Sequence, residues 1–336
     1  MPGSDLPTFG DVERAARRLG ARVHRTPVFS SATLSRAAGA PVFLKAELFQ
    51  RTGSFKPRGV FTRLDALSPE ERARGVISIS AGNHAQALAY ACGREGLDCL
   101  VVMWQGASPL KAEAARGYGA TVDTAAAGPP EAFERLEELR ATSGRVLVHP
   151  FDDPLVIAGQ GTVGLEICED LPDVEVVVVP VGGGGLVSGV ATAVKTAAAH
   201  DVRIVAVEPA GSAALGAALE AGRPVRPERS PTIADGLDAP FLGDTCFEIC
   251  RELVDESVTV SEAELGEGLR FLYSRAKLAA EPAGAAGVAA LLARKIDVEN
   301  AAAVAIVVSG GNVDPEKVSA ILKEHPATRP QNGVTT

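Results

Sequence analysis

The segment "VEVVVVPVGGGGLVSGVATAV", Val174–Val194, carries the strongest fold signal of the sequence. It begins as a run of β-branched residues with no polar alternation, as a strand covered on both faces requires. Four glycines, Gly182 to Gly185, break the run, and small apolar residues then continue as a helix. Strand, glycine turn and helix together form the repeating unit of a doubly wound parallel sheet. A tight strand-to-helix turn needs one or two glycines rather than four. Four in succession let neighbouring backbone N–H groups converge on one oxygen-rich group with no side chains in the way. The helix opening near Leu186 adds the positive end of its dipole. The run is read as a phosphate cradle.

Similar apolar runs recur at Val42–Glu47, Val76–Ser80, Cys99–Met103, Ala120–Thr124, Arg145–His149, Val202–Glu208 and Ala302–Ser309. Helical segments lie between them at Asn83–Arg94, Pro109–Gly117, Pro130–Thr142, Gly185–Ala199 and Glu262–Ala279. Buried strands joined by helical crossovers predict an α/β protein with doubly wound parallel sheets. Residues 75–149 hold their own strand and helix set and are read as a small domain. It is inserted in a larger one made of residues 1–74 and 150–326, and a cleft between the two is where a ligand binds. The tail 327–336 has no periodicity and is expected to be disordered.

Composition excludes several function classes. With 336 residues, a formal net charge of −9 and no basic run, the chain does not suit a nucleic-acid phosphate backbone. Cys92, Cys99, Cys168, Cys246 and Cys250 form no CxxC pair, and no histidine stands at metal-ligand spacing, which reads as reduced thiols. The start, "MPGSDLPTFGDVERAARRL", turns into an amphipathic helix rather than a targeting segment, and apolar runs stop short of a membrane span. A cytoplasmic protein is expected.

A second signal is "QRTGSFKPRGV", Gln50–Val60, which places Lys56 between an aromatic ring and a proline. Most lysines are solvated surface charges, so this one needs support from elsewhere in the chain. A rival reading uses only the glycines. Gly183, Gly185 and Gly189 form a GxGxxxG variant, and Glu208 ends the next strand, where a dinucleotide fold keeps its ribose carboxylate. That reading describes a nicotinamide-dependent oxidoreductase and leaves Lys56 unexplained.

Five motifs occur in order: "TGSFKPRG", "SAGNHAQALAYA", "PVGGGGLVSG", "TIADG" and "SGGN". Together they resemble the fold-type II pyridoxal-phosphate enzymes, which share the tryptophan synthase β-like fold. The match is nearest the serine/threonine dehydratase (threonine ammonia-lyase) and serine racemase family, over about residues 10 to 325. The resemblance implies that Lys56 forms the imine with pyridoxal 5'-phosphate and later removes the Cα proton as general base. It implies that Phe55 packs on the pyridine ring and that Asn83 hydrogen-bonds the ring hydroxyl. Gly182, Gly183, Gly184, Gly185 and Leu186 would hold the phosphate, and Ser309 would face the pyridine nitrogen. Ser80, Ala81, Gly82, Asn83 and His84 would take the substrate carboxylate, which agrees with the unpaired amides of a helix N-terminus. A lysine among neutral and aromatic neighbours loses part of its preference for the ammonium form, so its amine can attack an aldehyde.

The implied activity is β-elimination from L-threonine, L-serine or a related β-hydroxy amino acid, giving a 2-oxo acid and ammonia. A homo-oligomer, a dimer, is expected as well. The neutral hydroxyl of Ser309 leaves the Cα carbanion less delocalised than an aspartate would, which favours loss of the β-substituent. Within the fold the alternative is a racemase. Racemases that resemble this chain carry a second serine in the asparagine loop, where this chain has Ala81. A β-replacement synthase has a different asparagine loop, and a catalytically silent sensor would not need Lys56, Asn83 and Ser309 together. Members with a divalent-cation site use a glutamate at Glu208, but their second carboxylate aligns with Ala214, so binding there is expected to be weak or absent. His84 and Glu281 have both a site reading and a helix-start reading. Trp104 stands where the family often has proline, either at the surface or lining the cleft. Feedback control through an added regulatory domain is not expected.

Overall fold

The computed structural model describes residues 6–324, so the tail expected at 327–336 lies outside the described residues. The larger sheet is built from β1 (Val28–Ser30), β2 (Val42–Ala46), β7 (Val176–Pro180), β8 (Arg203–Pro209), β9 (Glu256–Val260) and β10 (Val304–Val308). The smaller is built from β3 (Val76–Ile79), β4 (Cys99–Trp104), β5 (Thr121–Ala126) and β6 (Val146–Leu147). Their orders are β1-β2-β10-β7-β8-β9 and β5-β4-β3-β6. Every pairing is parallel except the edge strand β1, which runs antiparallel to β2 with Phe29 opposite Leu44.

Strands buried on both faces explain the unbroken valine runs. Val176 and Val178 point into one core with Val205, Ile306 and Leu269. Their neighbours Val177 and Val179 enter another with Ile204, Val307 and Val187. The small sheet repeats this arrangement, with Val101 and Met103 on one face and Leu100 and Val102 on the other. Its core also takes in Val60, Phe61 and Leu64 from the helix Lys56–Leu64. The lysine-bearing helix therefore packs on the small sheet and also against the helix Pro154–Asp170. There a Cβ on Gly159 would lie 2.5 Å from the Arg58 carbonyl oxygen and from Gly59 Cα.

Three local expectations change. β1 and β9 are too short or too polar on one face to stand out as apolar runs. The strand expected over Arg145–His149 pairs only at Val146 and Leu147, and Pro150, which has no N–H, follows directly. The helix expected over Glu262–Ala279 is regular to Phe271 and closes in a π turn, Leu272–Ala276, stopped by Lys277 at φ +60°. Among the described residues no helix is long and apolar enough to cross a membrane.

Candidate active site

Residues at the carboxyl ends of β3, β4, β6, β7 and β10 line one cavity of about 430 Å³. This is where parallel α/β sheets place ligands, because the glycine turns and helix N-termini collect there. Phe55, Lys56, Ser80, Ala81, Gly82, Asn83, His84, Gly182 to Gly185, Leu186 and Ser309 all line it. Glu281 and Trp104 do too, so the tryptophan faces the cleft.

Lys56 opens its helix after a turn in which Thr52 (φ 61°) and Gly53 (φ 73°) are both left-handed. Its Nζ donates to the Pro150 carbonyl at 2.7 Å and sits 5.1 Å from the centre of the Phe55 ring. Burial pushes the ammonium pKa down to about 8, outweighing the opposing influence of Cys246 and Glu281. A nucleophilic amine is thus available near neutrality.

Across the cavity, the amides of Gly182, Gly183, Gly184, Gly185 and Leu186 donate no hydrogen bond within the described residues. They open the helix Gly185–Ala197, so five unpaired donors coincide with a positive dipole end. Gly184 is held at φ +96°, and a Cβ there would lie 2.6 Å from Leu242. A Cβ on Gly183 would lie 2.4 Å from the Phe151 ring. The glycines are therefore required by the wall behind the loop as well as by the space in front of it. This set of donors fits a phosphate group.

A second set of free donors lies at the start of the helix Asn83–Glu95. The Gly82 amide is used by Ser80 Oγ at 3.1 Å, while those of Ala81, Asn83 and His84 find no acceptor among the described residues. His84 itself is buried, with Nε2 3.1 Å from the Val148 carbonyl oxygen. That contact puts the proton on Nε2, and burial with Lys56 nearby lowers the imidazole pKa to about 3. The side chain fills the turn as a neutral group, and the backbone supplies the anion donors.

The Asn83 side chain bridges two segments that the sequence places far away. Its Nδ2 donates to Glu281 Oε1 at 2.6 Å, and its Oδ1 accepts from Asn312 Nδ2 at 2.9 Å. Burial raises the Glu281 carboxyl to about 7 against the pull of Lys111. Lys111 pairs with Asp235 at 2.8 Å, tying the small-sheet side of the cavity to the "TIADG" segment. Sequence reading left Lys111, Asp235, Asn312 and Pro150 without roles. Asp235 lies in the "TIADG" segment and Asn312 in "SGGN", and nothing local marks the other two. Glu208 does not line the cavity. Its buried carboxylate accepts from the Leu215 and Gly216 amides at 2.7 and 2.9 Å, capping the helix Ala214–Ala221. A carboxylate turned into the protein in this way does not face a dinucleotide ribose in the cleft, and the oxidoreductase reading loses its second element.

A family model described as pyridoxal-phosphate dependent enzyme matches residues 21–310. The chain is 46% identical to an L-threonine ammonia-lyase of Thermotoga maritima, over 94% of this chain and 78% of that one. It is 41% identical to a catabolic L-threonine dehydratase of Escherichia coli, over 94% and 97%. Among solved structures, the maize serine racemase superposes with a TM-score of 0.90 at 35% identity, covering 96% of this chain and 98% of its own.

Proposed function

We propose that this chain, which belongs to the pyridoxal-phosphate dependent enzymes and uses that cofactor, deaminates β-hydroxy amino acids, L-threonine and L-serine first, to a 2-oxo acid and ammonia. The observation that carries the reading is the single cavity holding the Lys56 amine opposite five unpaired glycine-loop amides. Bound pyridoxal phosphate would supply an electron sink for the pair of electrons left when the substrate Cα loses its proton.

The protein's own contribution is positioning and proton handling. The amides of Gly182 to Leu186 would hold the phosphate, Phe55 would pack on the ring, and Asn83 and Ser309 would meet the ring hydroxyl and ring nitrogen. Ser309 is buried at the end of β10 and offers a neutral hydroxyl rather than a charge. The amides at Ala81, Asn83 and His84 would take the substrate carboxylate, with Ser80 and Gly82 shaping that loop. Lys56, neutral above a pH of about 8, is the base that would remove the Cα proton. No other amine lines the cavity unpaired among the described residues, since Lys111 is held by Asp235. The test is the visible spectrum of the purified protein together with 2-oxo acid release from L-threonine and L-serine. A colourless protein that releases none would refute the reading.

The lowered lysine pKa has a measurable sign. Only the neutral amine is nucleophilic, so covalent capture of added cofactor by cofactor-free protein speeds up as pH rises and levels off above about 8. Below that it slows by about tenfold per pH unit. Stopped-flow absorbance would show this, and a rate still climbing steeply at pH 10 would contradict it.

Racemisation would need a proton returned to Cα from the side away from Lys56. Ala81 lines the cavity at the loop position in question, and a methyl group cannot donate a proton. Little D-serine is therefore expected from L-serine, with a gain in Ala81→Ser. Chiral analysis beside 2-oxo acid release decides the point, and rapid D-serine formation by the unaltered protein would defeat it.

The proposal extends to a cytoplasmic homodimer. All five cysteines are free thiols, in keeping with a reducing compartment. Phe29 and Phe49 pack edge-on at 6.0 Å beside the edge strand and remain 41% and 48% exposed, which is the kind of aromatic patch a second copy covers.

A further inference from the structure

We propose that Asn312 is a positioning residue that fixes which end of the Asn83 amide faces the cofactor ring. The inference rests on the reading above that Asn83 meets the ring hydroxyl.

Asn312 Nδ2 donates to the Thr52 carbonyl oxygen at 2.6 Å. A backbone carbonyl can only accept, so the amide of Asn312 has one permitted orientation at that contact. The same Nδ2 carries a second hydrogen, directed at Asn83 and 2.9 Å from Oδ1. An N–H requires an acceptor there, so Asn83 must present its oxygen to Asn312 and its NH₂ to the other side. On that side Nδ2 meets Glu281 Oε1 at 2.6 Å, at the wall of the cavity. One fixed carbonyl thus sets the direction of two consecutive amides, and Asn83 approaches the cavity as a donor only.

The frame holding Asn312 is rigid. A Cβ on Gly53 would lie 2.4 Å from Asn312 Oδ1, and the Gly311 amide donates to the Gly53 carbonyl at 2.9 Å. The Thr52 carbonyl shares its planar peptide with the Gly53 amide, which donates to the Gln50 carbonyl at 2.8 Å, so it is not free to turn away. A rigid acceptor at the far end of a relay is what stops a primary amide from rotating by half a turn, since its two ends have almost the same shape.

The consequence is chemical. An N–H aimed at the ring oxygen of the cofactor favours the anionic form of that oxygen, whereas a C=O aimed at it favours the protonated form. The visible absorption band of the bound cofactor reports which form is present. The isosteric change Asn312→Asp removes both donors and leaves an acceptor facing Asn83, which reverses the relay. Asn312→Ala removes the constraint without reversing it.

The experiment compares holoprotein spectra across pH and cofactor dissociation constants for the unaltered protein, Asn312→Asp, Asn312→Ala, Asn83→Ala and the double variant Asn83→Ala/Asn312→Asp. Asn312→Asp is expected to shift the band toward the protonated form and weaken cofactor binding by about tenfold. Asn312→Ala should show a smaller change of the same sign. In the Asn83→Ala background, Asn312→Asp should have little further effect, because the residue it acts through is gone. An unchanged band in Asn312→Asp, or an equal effect of Asn312→Asp with and without Asn83, would overturn the proposal. If Asn83→Ala itself left the band unmoved, the contact between Asn83 and the ring would be wrong, and the inference would fall with it.

Discussion

Lys56→Ala is expected to yield a folded protein whose turnover is lower by about four orders of magnitude or more, since one change would remove both the proposed covalent tether and the proposed base. Residues lining the cavity offer no substitute: Lys111 is the other lysine there, and its Nζ is 2.8 Å from Asp235. Borohydride reduction followed by peptide mapping checks the tether independently of activity. In the unaltered protein the pyridoxyl label should fall on Lys56, and in the variant it should be absent. A label on Lys45 or Lys111 would sink the assignment. Lys45 is a poor candidate on the geometry, being fully buried with Nζ donating to the Thr26 carbonyl and 2.6 Å from Glu166.

The largest loss of stability is expected from Arg58→Leu, two residues from Lys56. Arg58 is fully buried and forms a fork with Glu47, Nε to Oε2 at 2.9 Å and Nη2 to Oε1 at 2.8 Å. It also reaches Glu166 at 2.7 Å and Thr162 at 3.1 Å. Glu47 is likewise fully buried, with Thr26 Oγ1 donating to it at 2.5 Å. Lys45, Arg58, Glu47 and Glu166 balance two positive charges against two negative ones. Removing Arg58 strands the Glu47 carboxylate without its partner, at a cost of about 3–5 kcal/mol. Arg58→Leu combined with Glu47→Leu removes both charges and should recover much of that loss. Urea unfolding of the cofactor-free proteins measures both. A cost below about 1 kcal/mol for Arg58→Leu, with Glu47 intact, would show that the buried cluster is not coupled in this way. Because the cluster ties the helix Lys56–Leu64 to β2 and to the helix Pro154–Asp170, it also fixes where Lys56 emerges.

Much of the fold was legible in the sequence because it is written in local spacing. The valine runs of β7, β8 and β10 carry no polar alternation, since both of their faces are covered, and such runs specify parallel strands without help from distant residues. The turn Gly182–Gly185 and the loop Ser80–His84 were likewise visible, because helix N-termini announce themselves by glycine and polar residues directly before a helical run. The edge strands β1 and β9 escaped for the complementary reason that an edge needs no such run.

The two sheets, parallel apart from β1, and the family are written in contiguous segments, as are the glycine run and the lysine context on which the proposed site rests. How these residues behave together depends on the packed fold. Asn83 meets Asn312 across 229 positions and Glu281 across 198, and no periodicity relates residues so far apart. His84 could cap a turn or bind substrate on sequence alone, and its contact with Val148 makes it a neutral filler. Glu208 could face a ribose or a metal, and the fold turns it toward the amides of the helix that follows. One cause underlies each case. A side chain's protonation and orientation depend on which donors, acceptors and apolar atoms surround it, and that set is assembled only when distant segments pack.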